Sequence, residues 1–383
     1  MPDSVFHVPA RITFGVDVLN RLGVIASTYG TRALLVTEPN LRDPGHIRRV
    51  QDLLSKKGID VILHDELLSG AQAGSMDEAI GLARAGKVQM VIGLGGMNAV
   101  LAARCASVAA PNQEAGSATL LSGAPHPKPA LPCIAIPTAI RDHFLFTEDV
   151  VLVDSSSKTA RSVRLGPSSI REVLVDPRLN LSLSKKAVGA ALLDTLSAAC
   201  EGYLSKKNTF LSETLFLESC RAVHDAVELI HRQSEDLRGR FRACEAGMAC
   251  SIALSSSVQG PAGALTYAIN AKYGIPKAWV ATVLLPHMLD YAVAPRTDRL
   301  VKIAEALGEE ADGLDINDDA SRAASAVRRI MGRLGLTSRL RDFDIRLDDM
   351  FEMSEIAAGL EMSGYSPVAH SSEDIYEMVK AAF

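Results

Sequence analysis

Residues 88–104 read VQMVIGLGGMNAVLAAR. An apolar run opens the stretch, Gly95 and Gly96 follow, and an alanine-rich segment closes it. This is the pattern of a buried strand, a tight turn and a helix, the unit from which parallel sheets with helices on both faces are built. The alternation continues outward. ALLVT (33–37) reads as a buried strand, residues 46–58 as an amphipathic helix, DVILH (60–64) as a strand and residues 76–86 as a helix. The strand at 88–94 leads into a helix expected near 98–110, and CIAIPT (133–138) is a further strand. Residues 111–131, rich in Pro, Ser, Ala and Gly, are expected to form a surface loop. VVLVD followed by SSSKTARSVRL suggests an irregular β-hairpin, and EVLVD (172–176) closes this half.

Beyond Pro177 the periodicity changes from strand-like to helical. Helices are expected at 185–205, 209–232, 237–257, 277–293, 297–307, 317–334 and 372–382. The boundary falls near 178–184. A doubly wound, Rossmann-like α/β domain (1–180) is therefore followed by an all-helical domain (181–383).

The chain has 383 residues, enough for two domains with cores of their own. Hydrophobic residues make up 48% and charged residues 22%, a globular balance. The formal net charge of -5 lacks the basic footprint of a nucleic-acid binder. No run reaches the ~18 apolar residues of a membrane-spanning helix, and the first residues carry no signal-peptide pattern. Cys105, Cys133, Cys200, Cys220, Cys244 and Cys250 form no CxxC pair and read as reduced core residues of a cytoplasmic protein.

Several segments, in order and spacing across about residues 8–291, resemble the iron-dependent (group III) alcohol dehydrogenase superfamily. VPARITFG matches its Pro-x-Arg-(Ile/Val)-x-Phe-Gly opening, nearest to the maleylacetate reductase version. VIGLGGMNAVLAAR stands where the family has a Gly-Gly-Gly-Ser turn, and IAIPT precedes its second cofactor loop. VLVDPRLNLSLSKK resembles its Asp-Pro-x-Leu junction, and LLDTLSAACEGYLS its Met-Asp-Ala-x-x-His-x-x-Glu-x-Tyr helix. YAINAKYGIPKAWVATVLLPHML resembles its histidine-bearing segment, of which His287 keeps the closing Leu-Pro-His. The resemblance implies the dehydroquinate synthase-like architecture, a small-molecule substrate bound in the gap between two domains, and NAD as cofactor. It also implies a homodimer in which the strand around residues 5–14 pairs with its partner.

The positions that carry the family's chemistry are the ones that differ. By the resemblance, one Asp and three His hold a divalent metal. The Asp is Asp194, but the histidines fall on Ala198, Gly263 and Lys277, and a further active-site His falls on Tyr267. A lone carboxylate cannot hold Fe²⁺ or Zn²⁺, which takes about three or four protein ligands, and an ammonium repels the ion. No metal is expected at this site. Two readings of Asp194, Tyr267 and Lys277 stand side by side. In one, Lys277 supplies the charge a metal would supply, eases proton release from Tyr267 and is fixed by Asp194. In the other, Lys277 and Asp194 form a salt bridge that fills a vacated site.

The cofactor turn keeps Gly95 and Gly96, while Met97 and Asn98 replace the third Gly and the Ser. Asn98 can cap the helix and donate to a phosphate; Met97 crowds it. Glu38 follows the first strand, where a carboxylate accepts from a ribose 2′-OH and favours NAD. The second loop reads Thr138-Ala139-Ile140-Arg141-Asp142-His143-Phe144-Leu145 and lacks the family's glycines. Arg141, Asp142 and His143 are either a polar constellation for an anionic substrate or a solvated rim. Trp279 is expected in the core. Three functions remain open: a metal-independent NAD(H)-linked oxidoreductase on a small carbonyl or alcohol, a non-redox reaction on a small anionic substrate, and a non-catalytic partner protein.

Overall fold

The computed structural model describes residues 5–67, 73–154, 156–166 and 169–383. The chain divides into two compact units, Val8–Ser182 and one that takes in Leu183–Phe383.

The first unit carries β1 (Arg11–Phe14), β2 (Arg32–Thr37), β3 (Asp60–His64), β4 (Met90–Gly95), β5 (Cys133–Pro137), β6 (Asp149–Asp154), β7 (Thr159–Arg164) and β8 (Ile170–Val175). Six of them make a parallel sheet in the order β1-β8-β5-β4-β2-β3. Its helices are α1 (Leu22–Ala26), α2 (His46–Ser55), α3 (Ala73–Ala85), α4 (Met97–Ala109) and α5 (Ser117–Leu121). Side chains alternate along each strand. Ala33, Leu35, Met90, Ile92, Leu94, Ile134, Ile136 and Leu174 make one core with α1 and α2. Fully burying a side chain of leucine size contributes about 1.5–3 kcal/mol. On the opposite face α4 approaches so closely that a Cβ on Gly93 would lie 2.9 Å from that of Ala103. This approach sets the start of α4 against the end of β4.

Three expectations for this unit need correction. Residues 111–131 are not all surface loop: they contain α5, with Ala115, Ser117 and Leu120 buried. Anchors from α3 explain this. Asp77 accepts from the amide and hydroxyl of Ser117 at 2.7 and 2.6 Å, and Arg84 donates to the carbonyls of Ala109 and Ala110 at 2.9 and 3.3 Å. The hairpin is regular, with β6 and β7 antiparallel in unbroken register from Asp149↔Arg164 to Asp154↔Thr159. Within residues 5–14, only Arg11–Phe14 is strand; it pairs with β8 of this chain and forms one edge of the sheet.

The second unit is helical: α6 (Lys185–Leu204), α7 (Phe210–Arg232), α8 (Leu237–Leu254), α9 (Pro261–Tyr273), α10 (Lys277–Ala306), α11 (Ile316–Leu334), α12 (Met350–Gly359) and α13 (Ser372–Ala381). Side-chain caps start several of them, with Ser184 accepting from the Ala187 amide and Thr209 from that of Ser212. The expected helices 277–293 and 297–307 are two arms of α10, separated by non-helical backbone at Arg296 (φ -144°, ψ 42°). Neither α9 nor α12 was expected from periodicity. Residues 261–269 of α9 are buried on every side, so this helix has no polar face to betray its period. All six cysteines are free and buried. Trp279 is half-buried at the start of α10. Among the described residues no helix is long and apolar enough to cross a membrane.

Candidate functional site

In the α/β unit, Glu38 directly follows β2, Gly95 ends β4 with Gly96 next to it, and Thr138 directly follows β5. The sheet order reverses between β2 and β4, so these residues stand at the carboxyl ends of strands at the topological switch point, where open α/β sheets bind ligands. Gly95 has φ +149°, and a Cβ on it would lie 2.8 Å from that of Ala99 and 3.2 Å from the Glu38 carboxylate. Only glycine suits that backbone. Gly96 is the N-cap of α4, with Met97 and Asn98 in the first turn, all partly exposed. The Thr138 amide donates to the Gly95 carbonyl at 2.8 Å and ties β5 to the turn. The Gly96 amide donates to Glu38 Oε2 at 3.2 Å. Burial pushes the Glu38 carboxyl above its ordinary value, and the Gly96 bond opposes the shift. The turn therefore already offers a backbone N–H to a carboxyl oxygen, the kind of donor that a helix start offers a phosphate.

Arg141, Asp142 and His143 are 6%, 3% and 4% exposed, so they are not a solvated rim. Arg141 Nη2 lies 2.7 Å from His143 Nε2, and Asp142 Oδ1 accepts from the Phe144 amide at 2.8 Å. Arg104 on α4, 1% exposed, donates to the Phe144 carbonyl at 2.8 Å and draws the segment inward. Burial raises the Asp142 carboxyl to about 6 against the Phe144 bond and the charges of Arg104 and Arg141.

In the helical unit, α6 brings Asp194, α9 Tyr267 and the first residue of α10 Lys277 to one place. Lys277 Nζ donates to Asp194 Oδ1 at 2.6 Å, with the two side chains 6% and 11% exposed. The same ammonium lies 5.0 Å from the ring centroid of Tyr267, a cation–π contact in a dry setting. Ala198 and Gly263 offer no ligand atom. Among the described residues no group of three or more His, Cys, Asp or Glu could hold a metal ion.

One residue escaped the sequence reading. Glu201 lies seven residues beyond Asp194, two helical turns along one stripe of α6. It is 4% exposed, and its two carboxylate oxygens accept from the amides of Ala262 and Gly263, each at 2.8 Å. It thus caps the helix that carries Tyr267. The seven-residue spacing was the available signal. Burial raises the Glu201 carboxyl to about 7, against bonds from Gly263, Ala262 and Gly260 and the charge of Lys277. A raised folded-state pKa means that the native state holds this proton more tightly than the unfolded chain. The associated stability is present below the ordinary carboxylate value and disappears as pH rises through about 7. Relative to Glu201→Gln, the wild type should lose roughly 3 kcal/mol between about pH 4 and pH 8 in urea unfolding. A difference that does not change with pH contradicts the assignment.

Against known proteins, residues 9–177 match the family model "iron-containing alcohol dehydrogenase" and residues 189–383 the C-terminal model of the Fe-containing alcohol dehydrogenase family. The chain is 24% identical over 387 residues to 1,3-propanediol dehydrogenase of Citrobacter freundii, covering 99% of this chain and 98% of that one. It is 24% identical over 356 residues to lactaldehyde reductase of Escherichia coli (strain K12), covering 92% of each. The crystal structure of a 1,3-propanediol oxidoreductase superposes with a TM-score of 0.93 at 22% identity, over 100% of both chains, and shares the fold.

Proposed function

We infer that this chain, which belongs to the iron-containing alcohol dehydrogenase family, is an oxidoreductase that interconverts a small alcohol and its carbonyl compound with NAD(H), and that it works without a divalent metal. The observation that carries the second half is the Lys277 ammonium 2.6 Å from Asp194 Oδ1, with Ala198 and Gly263 in place of ligands. These residues do not fit iron. Names among the relatives, a propanediol dehydrogenase and a lactaldehyde reductase, support the substrate class.

Glu38, Gly95, Gly96, Asn98 and Thr138 would hold the dinucleotide, whose reduced form supplies hydride to the carbonyl carbon. The Tyr267 hydroxyl gives its proton to the carbonyl oxygen. The Lys277 ammonium over the ring favours the negative charge that forms on the phenol as it does so. Asp194 holds that ammonium in place. Glu201, through the Ala262 and Gly263 amides, fixes the start of the helix on which Tyr267 rides. We place the chain in a homodimer built on the outer edge of β1.

One observation favours a non-redox reading. Ile140 and Leu145 are 4% and 1% exposed, so the segment in place of the second glycine loop is packed, and it leaves less bare backbone for a cofactor. NADH titration with and without chelator separates the readings. Saturable binding and aldehyde turnover, both indifferent to chelator, are expected. Absence of binding at millimolar NADH removes the dinucleotide. Turnover that chelator abolishes and ferrous or zinc salt restores removes the metal-free mechanism.

A further inference from the structure

A recess of about 620 Å³ lies in the helical unit where α10 meets the ends of α11 and α13. Pro286, Met331, Leu336 and Phe383 supply its apolar wall, and His287, Arg328, Ser338 and Arg339 its polar one. Small-molecule sites occupy roughly 300–1,000 Å³. Asp194, Glu201, Tyr267 and Lys277 are not among its walls.

Spare hydrogen-bonding capacity here lies with donors. Carbonyls at the two helix ends are taken: Met331 accepts from the Leu336 amide at 3.0 Å, Gly332 from that of Gly335 at 3.2 Å and Ala382 from that of Leu340 at 2.9 Å. Arg322, Arg328, Arg329 and Arg333 of α11 each meet a carboxylate, Arg328 that of Asp290. Arg339, exposed on the wall, meets no carboxylate among the described residues, the terminal one of Phe383 included, and its side chain makes no hydrogen bond. The ring nitrogens of His287 have no hydrogen-bond partner among the described residues either, and they keep surface open to water. Burial, helped by the charge of Arg328, lowers the pKa of this imidazole, so near pH 7 it is neutral and offers one N–H. An open guanidinium presents a planar fork that receives a carboxylate in two parallel bonds. A single open fork suits a single carboxylate, whereas a phosphate monoester, at about -1.5 to -2, calls for more than one cation. Beside the fork, Met331 and Phe383 favour a ring, since thioether and aromatic faces both pack well on arenes.

We propose that this recess binds a small aromatic carboxylic acid, its carboxylate on the Arg339 guanidinium and its ring against Met331, Leu336 and Phe383. The site takes no part in the proposed reaction and stands whether or not the chain is an NAD(H)-linked enzyme. The test titrates 3-phenylpropanoate into ¹⁵N-histidine-labelled protein and follows the His287 ring nitrogens by NMR, identified by their loss in His287→Phe. The shift should saturate at concentrations on the order of millimolar. Arg339→Ala should weaken binding at least about tenfold, and Arg339→Lys by less, because lysine keeps the charge and loses the fork. Gly332→Phe should abolish the saturable shift; a Cβ on Gly332 meets nothing within 4 Å, so the added ring enters the recess and leaves the helix in place. 3-Phenyl-1-propanol, the same body with a hydroxyl, should bind at least about tenfold more weakly than the acid. A shift that grows linearly without saturation overturns the proposal. So does binding that keeps full strength in Arg339→Ala or Gly332→Phe, equal affinity for the alcohol, or tighter binding of inorganic phosphate. NADH-linked turnover, measured separately, bears on the proposed reaction and leaves this site untouched.

Discussion

Lys277→Met should cost about 3–5 kcal/mol of folding stability, the largest single loss expected in the helical unit. The cause is the carboxylate left behind. Asp194 Oδ1 now meets the ammonium at 2.6 Å with both side chains nearly out of solvent, and without that cation a buried charge stands uncompensated. Such a loss is a large share of the ~5–15 kcal/mol margin of a typical protein. The urea midpoint should fall with little change in slope. The double variant Lys277→Met/Asp194→Leu removes both charges and should recover the loss, or exceed wild type by about 1–4 kcal/mol, because neither group then bears a desolvation penalty. A single-variant cost below about 1 kcal/mol contradicts a charged pair and implies a protonated carboxyl.

The same energetics explain which parts of this protein could be read in advance. β4 announces itself because both faces of the sheet are covered, so MVIGL is an unbroken apolar run and Gly95–Gly96 ends it. α9 is hidden for the opposite reason: a helix buried all round has no period, and only Pro261 at its start and Gly274 (φ +69°) at its end mark it. Arg141-Asp142-His143 look like surface because charged residues usually are, whereas the Phe144 amide gives Asp142 a partner inside and Arg141 and His143 meet each other. Asp194, Tyr267 and Lys277 could be singled out by likeness to a family, yet nothing local in the sequence says that Lys277, 83 positions beyond Asp194, meets it and lies over the ring of Tyr267. Glu201 was passed over because a glutamate inside an apolar helix has no visible partner until α9 offers it two amides.

Tyr267→Phe removes one oxygen and should lower kcat for aldehyde reduction by about 10²–10⁴, the range of a general acid. NADH affinity should stay unchanged, since Glu38, Gly95 and Gly96, the residues we propose to hold the dinucleotide, belong to the other unit. Stability should fall by only about 1 kcal/mol, the usual net worth of one hydrogen bond. The informative comparison is with Lys277→Met, assayed at temperatures where both variants are folded. If the ammonium acts through the phenol it faces at 5.0 Å, removing it after the hydroxyl is gone has little left to remove. The double variant should then be about as slow as Tyr267→Phe alone, the non-additivity of groups that work as one unit. Losses that multiply would separate the two side chains and leave Lys277 as a filler of space and charge. A Tyr267→Phe enzyme that keeps wild-type kcat would move the proton donor elsewhere, with Glu201, raised to about 7, as the next acid to replace.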